Sequence, residues 1–103
     1  MAHDVIDRLE ATIRERRGAD AASSYVSSLF AHGTQRIAQK VGEEATETVI
    51  AALAQPGKLA SEAADLVFHL LVLLADAGLD FADVTGELAR REGLSGIEEK
   101  ASR

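Results

Sequence analysis

The stretch KVGEEATETVIAAL, residues 40–53, combines an apolar pattern of helical spacing with three glutamates inside five positions. A second stretch, SEAADLVFHLLVLLA, residues 61–75, is the most apolar part of the chain and opens with Glu62 and Asp65. Residues 55–58, QPGK, stand between the two, and proline next to glycine ends a helix. The sequence therefore predicts two helices joined by a short turn, which makes them antiparallel neighbours.

The segments before this hairpin predict shorter helices. Asp4 is a suitable N-cap for a first helix that ends near Glu15. Residues 24–32 then predict one or two further helical turns. The first hairpin helix is expected at about 35–54, with the preceding Thr34 as its cap.

The segments that follow complete an all-α pattern. The second hairpin helix is expected at about 59–77, with Gly78 at its C-terminal end. Asp80 is the expected cap of a last helix from 81 to about 92. Nowhere does the sequence alternate as a strand would. We therefore expect a bundle of four to five helices around a central antiparallel hairpin.

Length and composition limit the classes of protein. A chain of 103 residues is one domain, which we place at residues 1–93, with a polar C-terminal tail at 94–103. The absence of cysteine excludes disulfides and thiolate metal sites. A net charge of −6 argues against nucleic acid or an anionic membrane as partner. No signal-peptide core or membrane-length apolar stretch is present, so we expect a cytoplasmic protein.

The acidic residues of the hairpin form two stripes. At 100° per residue, Glu44 and Glu47 share one edge of the first hairpin helix with Lys40, while Glu43 points further toward solvent. Glu62 and Asp65 lie along one edge of the second helix. Pairing Glu47 with Glu62 and Glu44 with Asp65 requires only about 3 Å of sliding from the register that the turn sets. The four carboxylates can therefore meet across one groove between the helices.

Two interpretations of these stripes are open. Carboxylates a few Å apart repel one another, and a divalent cation with oxygen ligands, such as Mg²⁺ or Mn²⁺, removes that repulsion. Such a site also suits phosphate chemistry. The alternative is a solvated face, because glutamate-rich helix edges are common on acidic proteins. The geometry by itself leaves the choice open.

The same motifs carry a family resemblance. EEATE followed by EAAD resembles the ExxE…ExxD signature of the MazG-like, all-α nucleoside triphosphate pyrophosphohydrolases. KVGEEATE together with EAADLVFHLLVLL, and the ending SGIEEKASR, is similar to the phosphoribosyl-ATP pyrophosphohydrolase family of histidine biosynthesis. The resemblance implies hydrolysis of phosphoribosyl-ATP to phosphoribosyl-AMP and pyrophosphate, dependence on Mg²⁺, and a homodimer that completes the helical bundle.

The resemblance also implies roles for particular residues. Residues matching the motif, and so expected to hold the metal, are Glu44, Glu47, Glu62 and Asp65. The catalytic carboxylates would be Glu43, Glu44 and Glu47, with the identity of the general base left open. Lys40 and Arg36 would contact a substrate phosphate. His69 is more consistent with a hydrogen-bonded core residue than with a ligand. Tyr25 fits either a contact to the base or ribose or a packing role.

Two other functions remain as alternatives to hydrolysis of phosphoribosyl-ATP. One is a general MazG-like enzyme acting on ordinary or damaged nucleoside triphosphates. The other is a non-catalytic helical module whose acidic stripe binds a basic partner. The short single-domain chain and the ending SGIEEKASR favour the histidine-pathway enzyme over the general MazG-like enzyme.

Overall fold

The computed structural model describes residues 2–22, 24–93, 96 and 100, and all regular secondary structure in these residues is helical. Its helices are α1 Ala2–Arg16, α2 Tyr25–His32, α3 Thr34–Ala54, α4 Leu59–Asp76 and α5 Phe81–Arg90. A 3₁₀ turn, Pro56–Lys58, joins α3 to α4. Helices α3 and α4 form the central hairpin and pack against each other along their length. The predicted all-α bundle is confirmed, while the C-terminal tail lies largely outside the described residues.

Two of the predicted N-caps are wrong. Asp4 lies inside the first turn of α1, which begins two residues earlier. Thr34 is the first residue of α3, and its hydroxyl donates to Asp76 Oδ2 at 2.6 Å instead of capping the helix. The cap position belongs to Gly33, whose φ of +93° suits a residue without a side chain. A tertiary partner at the end of α4 has therefore displaced the local capping bond.

The end of α4 and the start of α5 follow the sequence closely. Helix α4 is followed by Gly78 at φ +78°, as expected for a glycine that terminates a helix. Asp80 caps α5 through a capping box with Asp83. The first turn of α5 is tied to α1, because Arg14 Nη2 donates to Asp80 Oδ1 at 2.6 Å. The helix ends at Arg90, two residues before the predicted end.

The apolar core joins four helices. Its buried members are Ile13 from α1, Val26 and Leu29 from α2, Ile37 from α3, and Leu71 and Val72 from α4. Leu66 and Leu70 lie on the opposite side of α4 from Leu71. Both of those leucines are only half-buried, because α1 and α2 cover the side that carries Leu71.

The most exposed of the large apolar side chains in the hairpin lie on α3. Val49, Ile50 and Leu53 are 58%, 55% and 83% exposed. Such a row on one helix is typical of a surface that another molecule covers. None of the described helices has the length and apolar character that crossing a membrane requires.

Candidate active site

Three carboxylates of the hairpin meet at one point between α3 and α4. Glu44 and Glu47, three residues apart on α3, share a helix edge and face Glu62 in the first turn of α4. One oxygen from each of the three lies within 4.8 Å of the others. The predicted approach of Glu47 to Glu62 is therefore observed, whereas Asp65, which was predicted to pair with Glu44, is not in this group. We call this group the acidic cluster.

Thr48 fixes the spacing of the acidic cluster. Its Oγ1 lies 2.8 Å from the carbonyl oxygen of Glu44 and 3.2 Å from that of Glu62. The hydroxyl thus bridges the two helices through the backbones of two cluster residues. Sequence analysis assigned no role to Thr48. The signal was its position four residues after Glu44, where a threonine hydroxyl reaches a helix carbonyl.

The acidic cluster is partly removed from water. Glu44 is only 7% exposed, while Glu62 is half-buried and Glu47 is exposed. The Oε2 atoms of Glu44 and Glu62 are buried and have no hydrogen-bond partner in the described part of the chain. A buried carboxylate oxygen without a donor is costly, and bound cations are one way to satisfy it. The three residues can therefore hold a metal ion.

Lys40 borders the cluster on the side away from the turn. Its Nζ lies 3.2 Å from Glu43 Oε2 and 3.5 Å from Glu44 Oε1, and the side chain is 19% exposed. The hydrogen bond to Glu43 is the main cause that raises the pKa of Lys40 above its ordinary value. Lys40 therefore carries a full positive charge beside the cluster, but it does not reach Glu47 or Glu62 as an ion pair.

Glu43 lies outside the cluster, as its position on the helical wheel predicted. It forms ion pairs with Lys40 and, at 3.8 Å, with Arg36, and it accepts a hydrogen bond from Gln39 Nε2 at 3.0 Å. The hydrogen bond from Lys40 is the main cause that lowers the pKa of Glu43. A carboxylate with a lowered pKa is a weaker proton acceptor, which counts against Glu43 as a general base.

Asp65 is the one predicted metal-binding carboxylate that does not join the acidic cluster. Its side chain is exposed one turn beyond Glu62 on α4, and it is not one of the three residues whose oxygens converge. Its backbone carbonyl accepts a hydrogen bond from His69 Nδ1 at 2.7 Å. The assignment of Asp65 to the metal site stays a prediction.

His69 is buried and hydrogen-bonded on both ring nitrogens, in agreement with the prediction of a core histidine. Because Nδ1 donates to a carbonyl, neutral His69 accepts at Nε2, where the Tyr25 hydroxyl donates at 2.8 Å. Tyr25 is half exposed and its ring stacks near Phe68, with centroids 6.2 Å apart. These contacts fix one face of the Tyr25 ring and leave the other side of the residue open to solvent.

A small cavity opens beside the acidic cluster on the side of the turn. It has a volume of about 150 Å³ and is lined by Glu47, Ile50, Ala51, Gln55, Lys58 and Glu62. Two cluster carboxylates therefore form one part of its wall, and the turn residues form another. Sequence analysis treated Lys58 only as part of a turn, because nothing local to QPGK indicates that the lysine shares a cavity with Glu47.

Comparison with known proteins places these features in one family. The sequence model of phosphoribosyl-ATP pyrophosphohydrolases matches residues 6–92. A phosphoribosyl-ATP pyrophosphatase of Rhizorhabdus wittichii is 62% identical over 95% of this chain and 93% of that protein. Proteins of the same name from Novosphingobium aromaticivorans and Zymomonas mobilis are 63% and 62% identical, over 97% and 100% of this chain and 94% and 97% of those proteins.

Proposed function

The chain belongs to the phosphoribosyl-ATP pyrophosphohydrolase family, and we propose that it hydrolyses phosphoribosyl-ATP to phosphoribosyl-AMP and pyrophosphate in histidine biosynthesis. The main structural support for this proposal is the acidic cluster. In it, Glu44 and Glu62 each bury a carboxylate oxygen that has no hydrogen-bond partner in the described part of the chain. Water supplies the oxygen that bonds to phosphorus, the phosphoanhydride bond breaks, and the electron pair leaves with pyrophosphate.

We further propose that the acidic cluster binds Mg²⁺. Carboxylate oxygens are the ligands this ion prefers, and Glu44, Glu47 and Glu62 place one oxygen each within 4.8 Å of the others. The exposed Asp65 is the fourth proposed ligand, because one helical turn separates it from Glu62. When bound, Mg²⁺ supplies Lewis-acid polarisation of a phosphoryl oxygen and lowers the pKa of its water.

The remaining proposed roles follow from charge and exposure. Of the three candidate catalytic residues, Glu43 is held in ion pairs, and Glu44 is buried beside Lys40. Glu47 is the exposed member of the cluster, so a proton that it accepts can pass to solvent, and we assign it the role of general base. Glu43 instead positions Lys40 and Arg36, which we propose contact a substrate phosphate.

We propose a homodimer in which a second copy covers the exposed apolar row on α3. Val49, Ile50 and Leu53 are exposed on their own chain, and Ile50 also lines the cavity beside the acidic cluster. Burying them against a symmetric copy removes a patch that is unfavourable in water. We also propose a cytoplasmic location, where ATP-derived substrates are found.

The decisive experiment measures pyrophosphate release from phosphoribosyl-ATP with and without Mg²⁺, beside ATP and dUTP as competing substrates. We expect Mg²⁺-dependent release from phosphoribosyl-ATP, abolished in Glu47→Gln and retained in Glu15→Gln. Glu15 is an exposed glutamate on α1 and lies outside the site, so it controls for the loss of one charge.

Two results would contradict the proposal. Release from ATP or dUTP in preference to phosphoribosyl-ATP would reassign the chain to the general MazG-like nucleotide hydrolases. Absence of release from all three substrates by a folded protein would leave a non-catalytic acidic module.

A further inference from the structure

The cavity between the acidic cluster and the turn, which we call the hairpin cavity, has walls of opposite charge. Glu47 and Glu62 line it toward the cluster, and Lys58 and Gln55 line it toward the turn. Ile50 and Ala51 form an apolar wall along α3. Its volume of about 150 Å³ is smaller than the roughly 300–1,000 Å³ that encloses a drug-sized molecule. The cavity therefore suits one end of a nucleotide and not the whole.

Lys58 differs from the other lysine beside the cluster. Lys40 forms ion pairs with two glutamates, whereas Lys58 forms none within 4.0 Å in the part of the chain that the structure describes. Glu62 stands four residues after Lys58, at a spacing that permits an ion pair, yet the two are not paired. The ammonium group of Lys58 is thus available to a ligand in the hairpin cavity.

The charges that line the hairpin cavity indicate which kind of ligand would fit it. Without a cation, Glu47 and Glu62 would repel an anion from the cavity. With a divalent cation held by the acidic cluster, an anion in the cavity meets positive charge from the cation on one side and from Lys58 on the other. The amide of Gln55 adds hydrogen-bonding capacity at the same end. This combination favours phosphate groups that also ligate the cation.

We propose that the hairpin cavity binds the terminal phosphates of the substrate, the part that leaves as pyrophosphate, with Lys58 and Gln55 as its contacts. This inference rests on the proposed function. It also fixes the direction of the substrate along the groove, because the nucleoside then extends away from the turn. Lys40 lies on that side, seven residues before Glu47, which is about 10 Å along the helix.

Calorimetric titration with inorganic pyrophosphate, in the presence and absence of Mg²⁺, tests the proposal without turnover. We expect Mg²⁺-dependent binding that is weakened about tenfold or more in Lys58→Gln, since a hydrogen bond to a charged group is lost. Lys58→Arg should retain most of the affinity. Arg8→Gln, which removes an exposed positive charge from α1, should bind like the unaltered protein. Product inhibition by pyrophosphate should change in parallel.

The outcomes separate this inference from the proposed function. If Lys58→Gln binds pyrophosphate as tightly as the unaltered protein, while that protein still hydrolyses phosphoribosyl-ATP, the cavity assignment is overturned and the activity stands. If Lys58→Gln lowers thermal stability and leaves pyrophosphate affinity unchanged, the lysine only supports the fold and the assignment is again overturned. If the unaltered protein neither binds pyrophosphate with Mg²⁺ nor releases it from phosphoribosyl-ATP, both proposals are overturned.

Discussion

The two sides of α4 bury different chemistry. Toward α1 and α2, Leu71 and Val72 are almost fully enclosed by apolar side chains. Toward the C-terminal half of α3, Glu62 contributes a buried oxygen with no partner in the described residues. Both sides belong to one helix and lie less than three turns apart. The apolar side stabilises the fold without any ligand, whereas we expect the acidic side to gain stability when a cation binds.

This difference predicts that stability and activity can be changed separately along α4. Replacing an enclosed apolar side chain removes favourable burial, which every folded molecule needs. Replacing a carboxylate of the acidic cluster has two effects. It reduces the repulsion between like charges, and it removes a proposed ligand of the cation. Substitutions on the two sides are therefore expected to change thermal stability and activity in different proportions.

The largest expected effect is on the apolar side. Leu71→Ala should lower the free energy of unfolding by about 2–5 kcal/mol, because a side chain that is 2% exposed leaves a cavity in the core. Thermal and urea unfolding measure this loss. Leu88→Ala, at a leucine that is 56% exposed, is the matched control and should change stability little. Equal losses in both variants would show that Leu71 is not part of a closed core.

The next effect is on the acidic side of the same helix. Glu62→Gln should reduce kcat by about 10²–10³-fold, as expected when one preorganised charged group is removed from an active site. Its melting temperature without Mg²⁺ should stay level or rise, because the cluster then carries less negative charge. A clear fall in melting temperature without loss of activity would reverse the proposed division between the two sides of α4.

A smaller effect is expected where α3 and α4 are bridged. Thr48→Val keeps the shape of the side chain but removes the hydroxyl shared by the carbonyls of Glu44 and Glu62. We expect a loss of about 1 kcal/mol in stability and weaker binding of Mn²⁺ as a probe ion. Thr48→Ser should restore both properties. Weaker unfolding stability with unaltered Mn²⁺ affinity would mean that Thr48 only joins the helices.

The smallest expected effect concerns Glu87. Its carboxylate accepts hydrogen bonds from arginines, whereas the buried Oε2 of Glu62 has no hydrogen-bond partner in the described residues. Hydrogen bonds from Arg90 and then Arg91 lower the pKa of Glu87 from 4.5 to about 2. Because the folded pKa lies below the unfolded value, this stabilisation is present above about pH 4.5 and is lost as the pH falls toward about 2. The stability difference between the unaltered protein and Glu87→Gln should therefore shrink across that window.

Carboxyl NMR titration checks the same point directly. The resonance of Glu87 should titrate well below the ordinary range of a glutamate in the folded protein. A midpoint near 4.5 would show that the exposed ion pairs do not hold in solution. The effect is small in either case, since solvent screens charges on an exposed helix end.

Much of the fold followed from local rules. Periodicity and the turn at Pro56 predicted the hairpin, and Gly78 and Asp80 marked the ends of α4 and α5 as observed. The caps at Asp4 and Thr34 were wrong. For Thr34, local capping competed with a hydrogen bond to Asp76, more than 40 residues away in sequence. Distant partners of this kind leave no trace in the surrounding sequence.

The candidate site was also predicted only in part, and again the local features were the predictable ones. The spacing of Glu44, Glu47 and Glu62 predicted their convergence, because angles around a helix and the length of a turn set the register. The expectation that Asp65 converges with them was not met in the structure of the single chain. The sequence did not predict the roles of Thr48 and Lys58, since each depends on residues that lie nearby on another helix.

The sequence by itself determined the helices, the hairpin, the charge of its groove and the resemblance to one enzyme family. Those properties depend on residue type and on spacing within one helix or across one turn. Only the tertiary structure decided which side of α4 is enclosed by α1 and α2, which carboxylate Lys40 holds most closely, and that Lys58 shares a cavity with Glu47. The physical reason is that periodicity fixes the direction of a side chain around its own helix, while burial and pairing depend on the neighbour that occupies that direction.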